Sequence, residues 1–332
     1  MRKPVAAVLM IVVALTSVAL RSAPQGGQQT APPTNNTRTS KEELERWMKE
    51  LSNWGRWGKE DERGTLNLIT PAKQKQAASL AKTGQVVPLG HPLVTEKGVD
   101  APTPYALQLR SSPANTIATD RQEISPHGRI FSHIDALCHV GTLDGKLYND
   151  VPFQDAVTAD RGCVKMGIGD VTIVTRAILV DIPRLKGLPH LEPGTHVYRE
   201  DIEAWERRAR VRISPGDALL LRTGRWARRA QMGPFLNQAA FDPSFVPLLK
   251  QRDVALLGGD ADQDGGSVVP GFPNAVHRIA IAALGMHVLD NLDLEAASEL
   301  AARLNRWEFM LVVAPIPIKG GTGSPVNPLA IF

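Results

Sequence analysis

"FSHIDALCHV", residues 131–140, sets His133, Asp135 and His139 within seven positions of one another among apolar neighbours. In extended chain, residues two apart project from the same face. His133 and Asp135 therefore point together while Ile134 turns into the core, and His139 lies beyond the strand end. His127 sits six residues before His133, with Gly128 allowing a tight approach. Each histidine taken alone reads as a hydrogen-bonded core residue. Three imidazoles and a carboxylate within thirteen residues weigh against that reading, because burying so many titratable groups without a function is costly. An imidazole and a carboxylate on one face suit a cation that accepts nitrogen and oxygen donors, Zn²⁺ or Mn²⁺.

The chain around this stretch alternates short apolar runs with helices. "AILVDI" (177–182), "DALLLRT" (217–223), "VALLGG" (254–259) and "FMLVVAPI" (309–316) are continuous apolar runs of strand length, the pattern of strands buried on both faces. "REDIEAWERRARV" (199–211) and "NAVHRIAIAALG" (274–285) read as helices between them. Upstream, Ser40 and Glu43 form a capping box ahead of Leu44, Trp47, Met48 and Leu51 at helical spacing. A second helix is expected from Thr70-Pro71 to Gly84. This order implies an α/β or mixed-sheet domain, and 40–332, which shows no internal repeat or linker, is read as one domain.

"MRKPVAAVLMIVVALTSVAL" has two cations, an apolar run too short for a comfortable membrane span, and small residues at 17 and 19. Residues 1–19 are therefore expected to be a secretory signal peptide, an uncleaved anchor being the alternative, and the mature chain to be periplasmic or secreted. Residues 20–39, rich in Gln, Pro, Thr and Asn, bury too little apolar surface to offset chain entropy and read as a disordered tether. Loss of Arg2 and Lys3 lowers the formal net charge from +4 to +2. No basic stripe points to nucleic acid, and no membrane association is expected beyond the signal segment. With 43% hydrophobic and 22% charged residues, the chain can build a core without a stapling metal. Cys138 and Cys163, with 24 residues between them, could pair in an oxidising compartment, but no local motif decides it.

"SHIDALCH" also resembles the signature HxGTHxDxPxH of the metal-dependent cyclase family, which includes bacterial kynurenine formamidases and isatin hydrolases. "WGKEDERGTLNLITP" (57–71), "LLRTG" (220–224), "GFPNAVH" (271–277) and "GGTGSPVNPLAIF" (320–332) resemble the family's longer branch, so that the likeness covers most of 40–332. The resemblance implies a swivelling β/β/α fold with a mixed sheet and flanking helices, a homo-oligomer, and hydrolysis of amides or cyclic amides with one or two divalent ions. It places metal ligands at His133 and Asp135 and the acid/base at His139. Downstream, the family's ligand histidine matches His277, and Asp290 stands thirteen residues on, where the family has a Glu at twelve; His287 is a rival. Leu137 replaces the usual Pro. Arg129 stands at the first ligand histidine, and a guanidinium cannot bind a metal. Either His127 supplies the missing nitrogen, or the ligand set is smaller.

Other motifs carry less. "DADQDG" (260–265) begins like a calcium loop, but position twelve would be Gly271 instead of a bidentate Glu; it reads better as an acidic loop at a strand end, lining the pocket. "KGGTGSP" (319–325) lacks the ending of a phosphate loop, and Pro325 and Pro328 forbid the following helix. A Cys138 nucleophile would point away from His139. Trp57, in a glycine-flanked loop, and Phe131 are candidate substrate-binding aromatics. The expected activity is hydrolysis of a small amide, cyclic or N-formyl, by metal-activated water with His139 moving the proton. Lactone or ester hydrolysis is the runner-up, and a catalytically silent ligand-binding relative is the reading from another class.

Overall fold

The apolar runs assemble into a nine-stranded sheet in the computed structural model, which describes residues 37–265 and 268–332. Expectations for residues 1–19 and for most of the 20–39 tether lie outside the described residues. In chain order the strands are β1 (Val86–Pro88), β2 (His133–Asp135), β3 (Ile173–Asp181), β4 (Ala218–Arg222), β5 (Leu256–Gly259), β6 (Val288–Asp290), β7 (Glu308–Val313), β8 (Gly323–Pro325) and β9 (Leu329–Ile331). Their order across the sheet is β1-β9-β7-β3-β4-β5-β6-β2-β8. Neighbours from β3 to β6 run parallel, and the outer pairs are antiparallel. The sheet is thus mixed, as the resemblance implies.

Parallel strands need covering on both faces, and the continuous apolar runs meet that need. Residues 177–180 and 218–220 are fully buried. Helices Pro71–Ala78 and Arg199–Ala209 both pack on β3. Trp205 lies edge-on to Trp307 and donates its indole N–H to the Leu179 carbonyl, 2.8 Å away. Among the described residues no helix is long and apolar enough to cross a membrane.

Two helices differ from their sequence pattern. The second ends at Ala78, not Gly84, because the amides of Thr83 and Gly84 instead donate to the Phe332 carbonyl and tie down the C-terminus. The 274–285 segment is α-helical only over Ala275–His277 and widens to a π-helix over Arg278–Ala283. Such widened turns recur at functional sites, and here His277 occupies the junction.

A hairpin, Ala106–Ser112 paired with Ile117–Glu123, is exposed along nearly its whole length, Leu107 and Leu109 included.

Candidate metal centre

Strand β2 lies between β6 and β8, and its register builds the site. Asp290 pairs directly with His133, and Gly323 with Asp135. Opposed residues of an antiparallel pair share a face, so a carboxylate from residue 290 arrives beside an imidazole from residue 133. Ile134 is fully buried on the opposite side.

Asp135 is the hub. Its Oδ1 lies 3.0 Å from His127 Nδ1, 3.4 Å from His133 Nε2 and 3.9 Å from His139 Nε2. Its Oδ2 lies 3.5 Å from His277 Nε2, which is 3.1 Å from Asp290 Oδ2. Both oxygens of Asp135 and His127 Nδ1 are buried, yet among the described residues none makes a well-aligned hydrogen bond. Buried polar atoms are almost always satisfied, and converging lone pairs that are not satisfied are the signature of a cation site. Ligand atoms of His133, Asp135 and Asp290 lie within 4.8 Å of one another, as do those of His127, Asp135 and His139. This nitrogen and oxygen donor set fits a divalent metal ion.

Two imidazoles are aimed by their own backbone neighbourhood. His133 Nδ1 donates to the Phe131 carbonyl at 2.8 Å, which turns Nε2 toward the centre. His127 Nε2 bonds the Thr322 hydroxyl at 2.8 Å, which turns Nδ1 inward. Gly128, at φ +124°, bends the chain so that His127 reaches the centre from two residues before Arg129. Arg129 itself turns outward, its Nε 3.7 Å from Asp262. His127, and not Arg129, is thus the side chain that stands beside Asp135.

The electrostatics follow from burial and crowding. Burial opposes the charged form of His133, but Asp135 and Asp290 outweigh it and hold the imidazole up to about 9. Burial likewise opposes charge on His277, and Asp290, Asp135 and Asp264 raise it well above the usual histidine range. Burial works against ionised Asp135 as well, yet the surrounding imidazoles keep its carboxyl well below the carboxylate range. His139 is different: burial pushes it down to about 4, so it is neutral at pH 7. It stacks on His127 with ring centres 3.9 Å apart. A cleft of about 410 Å³, lined by His139, Gly141, Phe153, Asn274 and Arg278 among others, opens beside it. That volume lies within the range of small-molecule sites.

The remaining candidates fall elsewhere. His287 is buried next to the centre, and its Nδ1 donates to the Asp135 backbone carbonyl at 2.7 Å, a supporting role. Phe131 is buried in a separate apolar cluster with Ala101, Ile130 and Trp226. Trp57 packs at the core's edge beneath the Arg56 guanidinium. Neither aromatic is among the residues that converge on Asp135. Cys138 and Cys163 are joined in a disulfide, so no free thiol stands beside His139. Sequence reading missed Thr322, Gly323, Gln263 and Asp264. The one signal available was the density of small and acidic residues in "DADQDG" and "GGTGSP".

Gly323 is required by the approach of His127. A Cβ there would stand 2.7 Å from the Ile134 carbonyl oxygen and 2.8 Å from His127 Cε1. Gly323→Ala is expected to displace the His127 ring, weaken metal binding, and cost about 1–3 kcal/mol of stability through overpacking. Metal titration and urea unfolding of the variant check this, and unchanged binding would mean that His127 is not held in this way.

The family described as "Putative cyclase" matches residues 87–263, more than half of the chain. Isatin hydrolase of Roseibium aggregatum is 29% identical over 215 residues, covering 60% of this chain and 70% of that protein. A crystal structure of a novel cyclase aligns with a TM-score of 0.78 at 29% identity, over 86% of this chain and 99% of that one. An isatin hydrolase bound to the product analogue thioisatinate aligns with a TM-score of 0.54 at 20% identity, over 79% and 97% of the two chains, a likeness of fold. With its mixed sheet, its histidine- and aspartate-rich centre on β2 and this match over most of the middle of the sequence, the chain belongs to the cyclase family.

Proposed function

We propose that this protein is a metal-dependent hydrolase of small amides, cyclic or N-formyl, with His139 as its acid/base. The observation that carries the proposal is Asp135, whose two buried oxygens face imidazoles from both sides without a hydrogen bond to satisfy them. His127, His133, Asp135, His277 and Asp290 are the residues that would hold one or two ions, Zn²⁺ or Mn²⁺. A divalent ion supplies there a lowered pKa for water and a polarised carbonyl. His139, neutral at pH 7 and at the cleft wall, takes the proton from the attacking water and delivers it to the departing nitrogen. Water's oxygen becomes part of the carboxylate product, and the C–N bond breaks. Phe153 and Arg278 offer the substrate an apolar surface and a cation across the cleft. Similarity to isatin hydrolase supports a cyclic amide as substrate.

The silent-binder reading was motivated by Arg129, and His127 now stands beside Asp135 in its stead. Lactones undergo the same tetrahedral chemistry and form the control arm of the test. The purified protein, loaded with Zn²⁺ or Mn²⁺, is assayed against N-formyl amines, cyclic imides and lactones. Metal-dependent turnover of the first two is expected. A well-folded protein that binds neither ion would overturn the proposal.

We also propose export, which the disulfide supports because such bonds persist in oxidising compartments. Homo-oligomer formation is proposed in turn: a two-stranded hairpin exposed on both faces is marginal in water alone. Light scattering giving a monomer mass would remove that last proposal.

A further inference from the structure

The acidic loop that follows β5 is absorbed neither by calcium binding nor by the ligand set above. Asp260, at its start, accepts from the amides of Thr223, Gly224 and Arg225 and so caps the helix Arg225–Met232. Its later residues turn toward the metal centre. Asp264 Oδ1 accepts from the Val276 amide at 2.7 Å, and Oδ2 lies 2.5 Å from His277 Nδ1. Next to it, the Gln263 amide donates to Asp290 Oδ1 at 3.1 Å and to the Ala261 carbonyl at 2.8 Å. Both side chains are buried.

Each contact selects an atom. With its Nδ1 proton held by Asp264, His277 turns Nε2 toward Asp135 and Asp290, where a bound ion would take the place of the Nε2 proton. With Oδ1 held by Gln263, Asp290 presents Oδ2, the oxygen 3.1 Å from His277 Nε2. One loop therefore orients both downstream ligands at once. This also bears on the shorter carboxylate at 290: Asp has one rotatable bond fewer than Glu, and a donor that holds one of its oxygens defines where the other points.

We propose that Asp264 and Gln263 are positioning residues of the metal centre: Asp264 sets the tautomer of His277, and Gln263 selects the free oxygen of Asp290. The inference rests on the metal-site reading above and deepens it. Outer ligand partners of this kind alter metal affinity about 10–100-fold when removed.

Asp264→Asn is the discriminating variant. The Asn oxygen can still accept from the Val276 amide, while the NH₂ that replaces Oδ2 loses the His277 amide as a partner. The Asn NH₂ then faces His277 Nδ1, which must accept, and the proton moves to Nε2 where the ion would bind. Titration of the folded variant with Zn²⁺ and with Mn²⁺ should give dissociation constants about 10–100-fold higher than wild type, and circular dichroism of the metal-free variant checks that it is folded. Gln263→Leu, which leaves the His277 tautomer alone, should weaken binding by a smaller factor.

Imidazole ¹⁵N NMR of the wild-type zinc form adds a test that needs no variant: His277 should carry its proton on Nδ1. A proton on Nε2, or variants that bind both ions like wild type, would overturn the inference while leaving the metal site in place. A wild-type protein that binds neither ion overturns the site itself, a separate result.

Discussion

Asp135→Asn is expected to strip the protein of its divalent ion and of turnover together, whereas His139→Ala keeps the ion and loses turnover. Asp135 lies within 4 Å of four imidazoles, with one oxygen toward His127, His133 and His139 and the other toward His277. Asparagine is nearly isosteric, but it is neutral, and one of its two atoms is a donor that meets a ring nitrogen with no lone pair of its own to offer. Ion affinity should fall by more than the roughly 100-fold reached by outer partners.

His139 sits farther out, 3.9 Å from Asp135 Oδ1 and on the cleft wall. Its removal should lower kcat about 10²–10⁴-fold, the usual worth of a positioned acid/base, with metal content unchanged. Metal analysis beside steady-state kinetics separates the two. An Asp135→Asn protein with wild-type metal content would refute the hub role, and normal turnover by His139→Ala would refute the acid/base role.

The second large effect is expected from the disulfide. Cys138–Cys163 closes a loop across a sequence separation of 25. The chain-entropy estimate for a loop of that length is about 3 kcal/mol at 25 °C. Its position adds a consequence for chemistry, because Cys138 immediately precedes His139. The bond fastens that turn to the segment in which the Cys163 amide donates to the Gly320 carbonyl. The double variant Cys138→Ala/Cys163→Ala should unfold at markedly lower urea and lose part of its turnover while retaining metal. Equal urea midpoints for the oxidised protein and the variant would contradict this account.

Much of the fold was legible because burial imposes itself locally. A strand covered on both faces has to be apolar throughout, and "AILVDI", "DALLLRT" and "FMLVVAPI" mark β3, β4 and β7 to within a few residues. The capping box at Ser40 is present with both of its hydrogen bonds, since the two partners lie three residues apart. The C-terminal end of the helix from Pro71 and the widening after His277 were not legible. The first depends on a carbonyl at Phe332, and the second on packing across the chain.

In the same way, the sequence by itself determined that His133 and Asp135 share a face, because strand geometry makes that a property of spacing alone. It also determined that Arg129 could not be a ligand, since a guanidinium offers no lone pair. Only the tertiary structure decided that Asp290 stands opposite His133, that His127 enters over Gly323, that Asp264 contacts His277 and Gln263 contacts Asp290, and that the two cysteines meet. These are relations between residues from 13 to nearly 200 positions apart. They are set by sheet register and by close approach of backbone, of which the local pattern shows only small and acidic residues, without saying what they meet.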